Sequence, residues 1–196
     1  MKHLLLLIAL LAAVPELYAQ KPKATEAAAT LPVDPDTKQV SYSAVVEAPS
    51  TTKDQLYERA LEWMTKTYQS DNDVVQIKDK QQGKLVAKGY TTLTQASGSV
   101  GMAMFGVMPT PALFLEQTHT LYLKDGRYKY VLTDLALKSA NSRDLTRYPL
   151  DASKVPLGFT KKSWAAALTK ADEEVKARIA SLNQAMLVNG KNPSDF

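Results

Sequence analysis

The chain has 196 residues, a net charge of +4 from 24 Lys and Arg against 20 Asp and Glu, and no cysteine. That length suits one domain with a real core, and the missing cysteine excludes thiol catalysis, Cys-ligated zinc, iron–sulfur clusters and a disulfide-stapled fold. The modest positive charge is scattered among acids, which reads as a solvated surface and not as a nucleic-acid footprint.

Lys2 and His3 make a short basic start, Leu4 to Val14 is an unbroken apolar run, and Leu17-Tyr18-Ala19 precedes Gln20. This is the order of a secretory signal peptide, with cleavage expected after Ala19. The run is too short for a membrane span, which takes about 20 apolar residues. No cysteine follows it, so a lipid anchor is not expected. The expected product is soluble, not lipidated, and periplasmic or extracellular. Gln20 to Lys38 is rich in Ala, Thr, Pro and Lys without apolar periodicity, and reads as a flexible linker. A single domain is expected over residues 39–190, with 191–196 as a tail.

Gln39 to Ala48 alternates as a strand, with Val40, Tyr42, Ala44 and Val46 on one side. Pro49 ends it. Thr51 or Thr52 then caps a helix, with Gln55 three residues after Thr52 in capping-box spacing. Leu56, Ala60, Leu61, Trp63, Met64 and Tyr68 follow at helical spacing, and the helix runs to about Tyr68. Asp73 to Asp79 and Lys84 to Leu93 are the next strands, joined by a turn ending in Gly83. Leu115 to Lys124 and Arg127 to Leu137 form a hairpin around Asp125-Gly126, a pair that favours a type I′ turn. A two-residue turn sets Leu123 opposite Tyr128, Leu121 opposite Tyr130 and His119 opposite Leu132, all on one apolar face. Thr120, Tyr122, Lys129 and Val131 then lie on the other face. Ser139 to Gly158 reads as a long connection.

Thr160 or Ser163 opens a second helix to about Val188, with a stripe at Trp164, Leu168, Ala171, Val175, Ile179, Leu182 and Met186. At 1.5 Å per residue it is about 43 Å long, so its end is expected to overhang a small sheet or meet a second chain. The order strand, helix, four strands, helix predicts an α+β domain: an antiparallel sheet of about five strands with helices on one face.

Val40-Ser41-Tyr42 leading to Val45-Val46-Glu47, then Pro49, Lys53, Leu56-Tyr57, Ala60 and Trp63, resembles domain-of-unknown-function family 4468. Gly83-Lys84-Leu85, Lys88-Gly89 and Lys124 to Tyr130 are similar too. The resemblance covers about residues 40–134 and implies an exported protein of the Bacteroidetes with a TATA-binding-protein-like fold. It implies no catalytic residue and no cofactor, and a fold does not transfer function.

His119 is the one histidine outside the leader, too few for a His-rich zinc site, and its strand position reads as packing. Glu58 and Glu62 share a helix face with Lys and Arg around them and read as solvated. Asp71-Asn72-Asp73 lacks the glycine and distal glutamate of a calcium loop and reads as a turn. No catalytic, cofactor or metal residue is assigned. Gly98 to Phe114 is unusually apolar for a loop. Its Met102, Met104, Phe105 and Met108 are candidate partner-binding residues, because Met-rich surfaces adapt to varied partners. Tyr122 and Lys129, with Lys88 and Tyr90, are further candidates on the open sheet face. The expected function is a non-enzymatic binding or assembly module of the cell envelope. Its partner would be an envelope protein, a glycan or a membrane surface, and not nucleic acid. One alternative is a carboxylate hydrolase whose site is assembled only in the fold. Another is a structural domain that forms a homodimer through its long second helix.

Overall fold

The structure is a computed structural model that describes residues 30–68, 75–93, 113–139 and 146–187. The leader, the Met-rich residues Met102, Met104, Phe105 and Met108, and the Asp71-Asn72-Asp73 turn lie outside the described residues. In chain order the elements are β1 (Tyr42–Glu47), α1 (Lys53–Thr67), β2 (Val75–Asp79), β3 (Lys84–Leu93), β4 (Leu113–Lys124), β5 (Arg127–Ser139), β6 (Arg147–Pro149) and α2 (Lys161–Leu187). The strands form one antiparallel sheet in the order β1-β5-β4-β3-β2, and β6 pairs with β5. This is the expected α+β architecture with one strand more. The short β6 comes from the stretch read as a connection. Three residues containing Pro149 carry no readable alternation, and a proline is tolerated there because β6 lies at an edge.

α1 begins where the capping box predicts. Thr52 accepts from the Gln55 backbone N–H, and the Gln55 side chain accepts from the Thr52 backbone N–H. Its buried face is Leu56, Tyr57, Ala60, Trp63 and Met64. Tyr57 is an addition to the expected stripe, while Leu61 is only partly buried. The hairpin register is the predicted one, with Leu123 opposite Tyr128, Leu121 opposite Tyr130 and His119 opposite Leu132. The turn differs from a type I′ turn. Gly126 has φ +73° while Asp125 does not share its positive φ. Asp125 instead turns its carboxylate to the start of α1 and accepts from the Lys53 N–H at 2.6 Å, a favourable place for an anion. β4 starts two residues earlier than its alternation suggests. Leu113 and Phe114, read as loop, pair with Leu93 and Thr92.

The core lies between one sheet face and the two helices. Leu85, Ala87, Leu115, Leu121 and Leu132 from the sheet are fully buried, as are Leu56, Met64, Ala171, Val175, Leu182 and Met186 from the helices. Burying a Leu, Val or Met of this kind contributes roughly 1.5–3 kcal/mol. α2, about 40 Å long, is seated along its length and does not overhang. Met186 near its end is fully buried, and its carbonyl accepts from Arg59 Nη1 at 2.9 Å. Most of the apolar stripe is therefore buried inside the chain, with Leu168 and Ile179 partly buried. Tyr42 Oη donates to Asp172 Oδ1 at 2.8 Å, Trp63 Nε1 to Ser181 Oγ at 3.0 Å and Tyr128 Oη to Asn183 Oδ1 at 2.7 Å. From Thr30 onward the segment read as linker is partly folded back. Val33 bridges Val40, and Leu31 packs against the core.

Candidate binding surface

The helices cover one face of the sheet, and no described element covers the other. Strand alternation decides what that open face carries. Across β1, β5, β4 and β3 one row reads Val45, Lys129, Tyr122, Lys84, and the next reads Ser43, Val131, Thr120, Val86. The two candidates Tyr122 and Lys129 are thus direct cross-strand neighbours. They line a groove of about 540 Å3 together with Val45, Lys124, Arg127, Tyr128 and Val131. Val45 is 58% exposed and Tyr122 42% exposed.

Charge on this face falls into two zones. In the first, Lys84 sits 5.7 Å from the Tyr122 ring centroid. Lys124, Arg127 and Lys129 surround the groove. Glu47 is the register partner of Arg127 and Asp79 that of Lys84. Neither carboxylate reaches ion-pair distance, so among the described residues these four cations have no acidic partner. In the second zone Glu116 gathers three cations: Arg147 at 2.6 Å, Lys138 at 3.0 Å and Lys88 at 3.8 Å. Burial raises the Glu116 carboxyl, but the hydrogen bonds from Arg147 and Lys138 and the nearby charges outweigh it and hold the carboxyl below its ordinary range. The other candidates, Lys88 and Tyr90, belong to this zone. Tyr90 is 56% exposed and meets Phe114 edge to face at 5.4 Å between ring centroids.

His119 lies on the opposite, helix-covered face, fully buried. Its ring stacks on Trp63 at 5.6 Å and meets Tyr68 edge-on at 5.5 Å. Among the described residues neither ring nitrogen has a hydrogen-bond partner, and the same is true of the Gln117 amide and Tyr68 Oη. Burial, with a smaller push from Arg178, lowers the His119 imidazole to about 3, so it is neutral at ordinary pH. This is the packing role expected of it, deeper in the core than its strand position suggests.

Lys80 pairs with Glu58 and Lys66 with Glu62, all well exposed, as the solvated reading expects. A second cavity, of about 350 Å3, lies beside β1 and contains one acid, Asp34. Neither cavity holds the two carboxylates that the hydrolase alternative calls for. Among the described residues no three His, Asp or Glu gather as metal ligands, and no helix is long and apolar enough to cross a membrane.

Fold and surface together define an α+β domain with an antiparallel sheet, helices on one face and an open basic and aromatic face on the other. Residues 42–138 match the family described as a domain of unknown function (DUF4468) with TBP-like fold, and over these residues the chain belongs to that family. The structure is similar to the crystal structure of a TBP-like protein from Parabacteroides distasonis, with TM-score 0.57 and 16% identity over 76% of this chain and 92% of that one. It is also similar to a DUF4468 family protein from Bacteroides ovatus, with TM-score 0.56 and 14% identity over 79% of this chain and 90% of that one. At such identities the likeness shows the fold alone. No curated protein matches the sequence.

Tyr122 and Lys129 were legible because alternation puts them on the face away from the core. Val45, Lys124, Arg127 and Lys84 were missed as their companions. Their gathering depends on β1 lying beside β5 and β3 beside β4, and no local signal in the sequence states that pairing.

Proposed function

We propose that this chain is an exported, non-enzymatic binding module of the cell envelope whose open sheet face takes an anionic partner around Tyr122 and Lys129. The observation that carries the reading is the group of four cations, Lys84, Lys124, Arg127 and Lys129, that have no acidic partner among the described residues and stand around an apolar groove. An ordinary solvated face intersperses its charges, as the exposed side of α1 does with Lys66–Glu62 and Lys80–Glu58. Here the positive field is left open, and a cleft of one sign attracts the opposite charge. The leader pattern at residues 1–19 supports export.

Backbone amide shifts of the full chain, followed during titration with a soluble polyanion, test the reading. Val45, Tyr122, Lys124, Arg127 and Lys129 should move first. The double variant Tyr122→Ser, Lys129→Glu should weaken binding at least tenfold with an unchanged circular dichroism spectrum. Shifts confined to Lys161 and Lys162 on the helix layer would remove the proposal. Export is checked separately by N-terminal sequencing of the protein from its native envelope, which should begin at Gln20; a chain that keeps Met1 overturns cleavage.

A further inference from the structure

We infer that the partner of the open face is an acidic polysaccharide, bearing carboxylate or sulfate groups, that lies lengthwise along β4 and β5; this rests on the anionic-partner reading above. The face carries two aromatic stations. Tyr122 is one, and the Tyr90–Phe114 pair is the other. Tyr122 and Phe114 are eight residues apart on β4, or roughly 27 Å at 3.4 Å per residue. Each station has cations beside it. Lys84 and Lys129 flank Tyr122 in register, while Lys138, the register partner of Phe114, is shared with Glu116 at 3.0 Å. Between the stations the same face presents hydroxyls from Thr120 and Thr133, while the Thr118 hydroxyl donates to Asp134 Oδ2 at 2.9 Å. Rings for C–H faces, hydroxyls for hydroxyls and spaced cations for spaced anions match a linear acidic glycan.

The competing polyanions fit less well. A peptide needs partners for its own N–H and C=O groups, which it finds at a sheet edge. β4 lies between β3 and β5, and β5 between β4 and the pair β1 and β6, so the backbone beneath this face is already committed to ladders. A polysaccharide backbone has no amide to satisfy. A lipid surface takes a broad apolar patch, whereas the exposed Val45 and Tyr122 stand in a groove lined by Lys124, Arg127 and Lys129. Nucleic acid carries a charge at every nucleotide and rewards dense cations. Here one carboxylate, Glu116, engages three of the cations on the face.

The test is calorimetric titration of the full chain with four probes: polygalacturonate, chondroitin sulfate, poly-L-glutamate of matched charge and single-stranded DNA of matched charge. At least one acidic glycan should bind ten times tighter than poly-L-glutamate and DNA. Lys129→Glu and Tyr90→Ser should each weaken that binding about tenfold, while Lys161→Glu on the helix layer leaves it unchanged. Each variant is checked for a wild-type thermal transition. If poly-L-glutamate or DNA binds as well as the glycans, and Lys129→Glu weakens it, the glycan inference falls and the anionic-partner reading stands. If no polyanion binds, or only Lys161→Glu matters, both fall.

Discussion

At the scale of single residues, the core holds polar groups that a purely apolar packing would not choose. His119, Gln117 and Tyr68 bury polar atoms that have no partner among the described residues, and such an atom costs roughly 1–3 kcal/mol. For His119 the cost depends on pH. Its folded pKa is about 3 against an ordinary 6.5, so between those values the unfolded chain takes a proton that the folded chain refuses. The unfolded state binds more protons there, so stability is full above pH 6.5 and falls as pH drops toward 3, by up to about 1.4 kcal/mol per pH unit. Urea unfolding at pH 7 and at pH 5 should show that loss, and His119→Leu should flatten it. A loss unchanged in the variant would assign it to other groups. Gly89 has a different necessity. A Cβ there would fall 2.3 Å from Tyr68 Cδ1, so the ring occupies the space that a side chain would take. Gly89→Ala should displace Tyr68 and cost roughly 1–3 kcal/mol by thermal unfolding.

At the scale of elements, α1 is held at its N-terminus by two separate devices. The capping box closes Thr52 with Gln55, and the β4–β5 turn lends Asp125 to the Lys53 N–H. Thr52→Ala should cost about 1 kcal/mol, read as a lowered urea midpoint with an unchanged slope. The capping box was legible because its two residues are three apart in sequence. The Asp125 contact was not, because it joins positions 72 residues apart and diverts the turn from the type I′ form that Asp-Gly favours. The same division runs through the candidate surface. Alternation along β4 and β5 puts Tyr122 and Lys129 on the open face, but Arg147 reaches Glu116 from a three-residue strand whose sequence, Arg147-Tyr148-Pro149, has no strand periodicity to read. The stripe of α2 shows the limit of periodicity alone. It identifies Trp164, Ala171, Val175, Leu182 and Met186 as inward facing, all of them buried. It does not say what they meet, which is this chain's own sheet and α1.

At the scale of the molecule, one side of the sheet is spent on stability and the other is free to act. The two meet at Glu116, which is largely buried and engages cations of the open face. Glu116→Gln should raise polyanion affinity, because Lys88, Lys138 and Arg147 lose the carboxylate that engages them. The same change should lower stability by about 1–3 kcal/mol, since Glu116 is largely buried and its charged hydrogen bonds are lost. Paired measurement of binding by calorimetry and of stability by unfolding should therefore move in opposite directions; a variant that loses both overturns this role of Glu116. Binding at the open face should also weaken steadily as salt rises, since the cations around Tyr122 are exposed and screened over about 8 Å at physiological ionic strength.

The seating of α2 also bears on synthesis. The first strand is fastened to the last helix, Tyr42 to Asp172, across 130 residues, and Trp63 and Tyr128 likewise wait for side chains of α2. While a ribosome is still making the chain, the sheet lacks half of its roof and its core stands wet. Without α2 these three hydrogen bonds and the burial around Ala171, Val175, Leu182 and Met186 are missing. Under the export reading proposed above, a chain whose described core cannot close before α2 is made would stay threadable through a translocation pore until then.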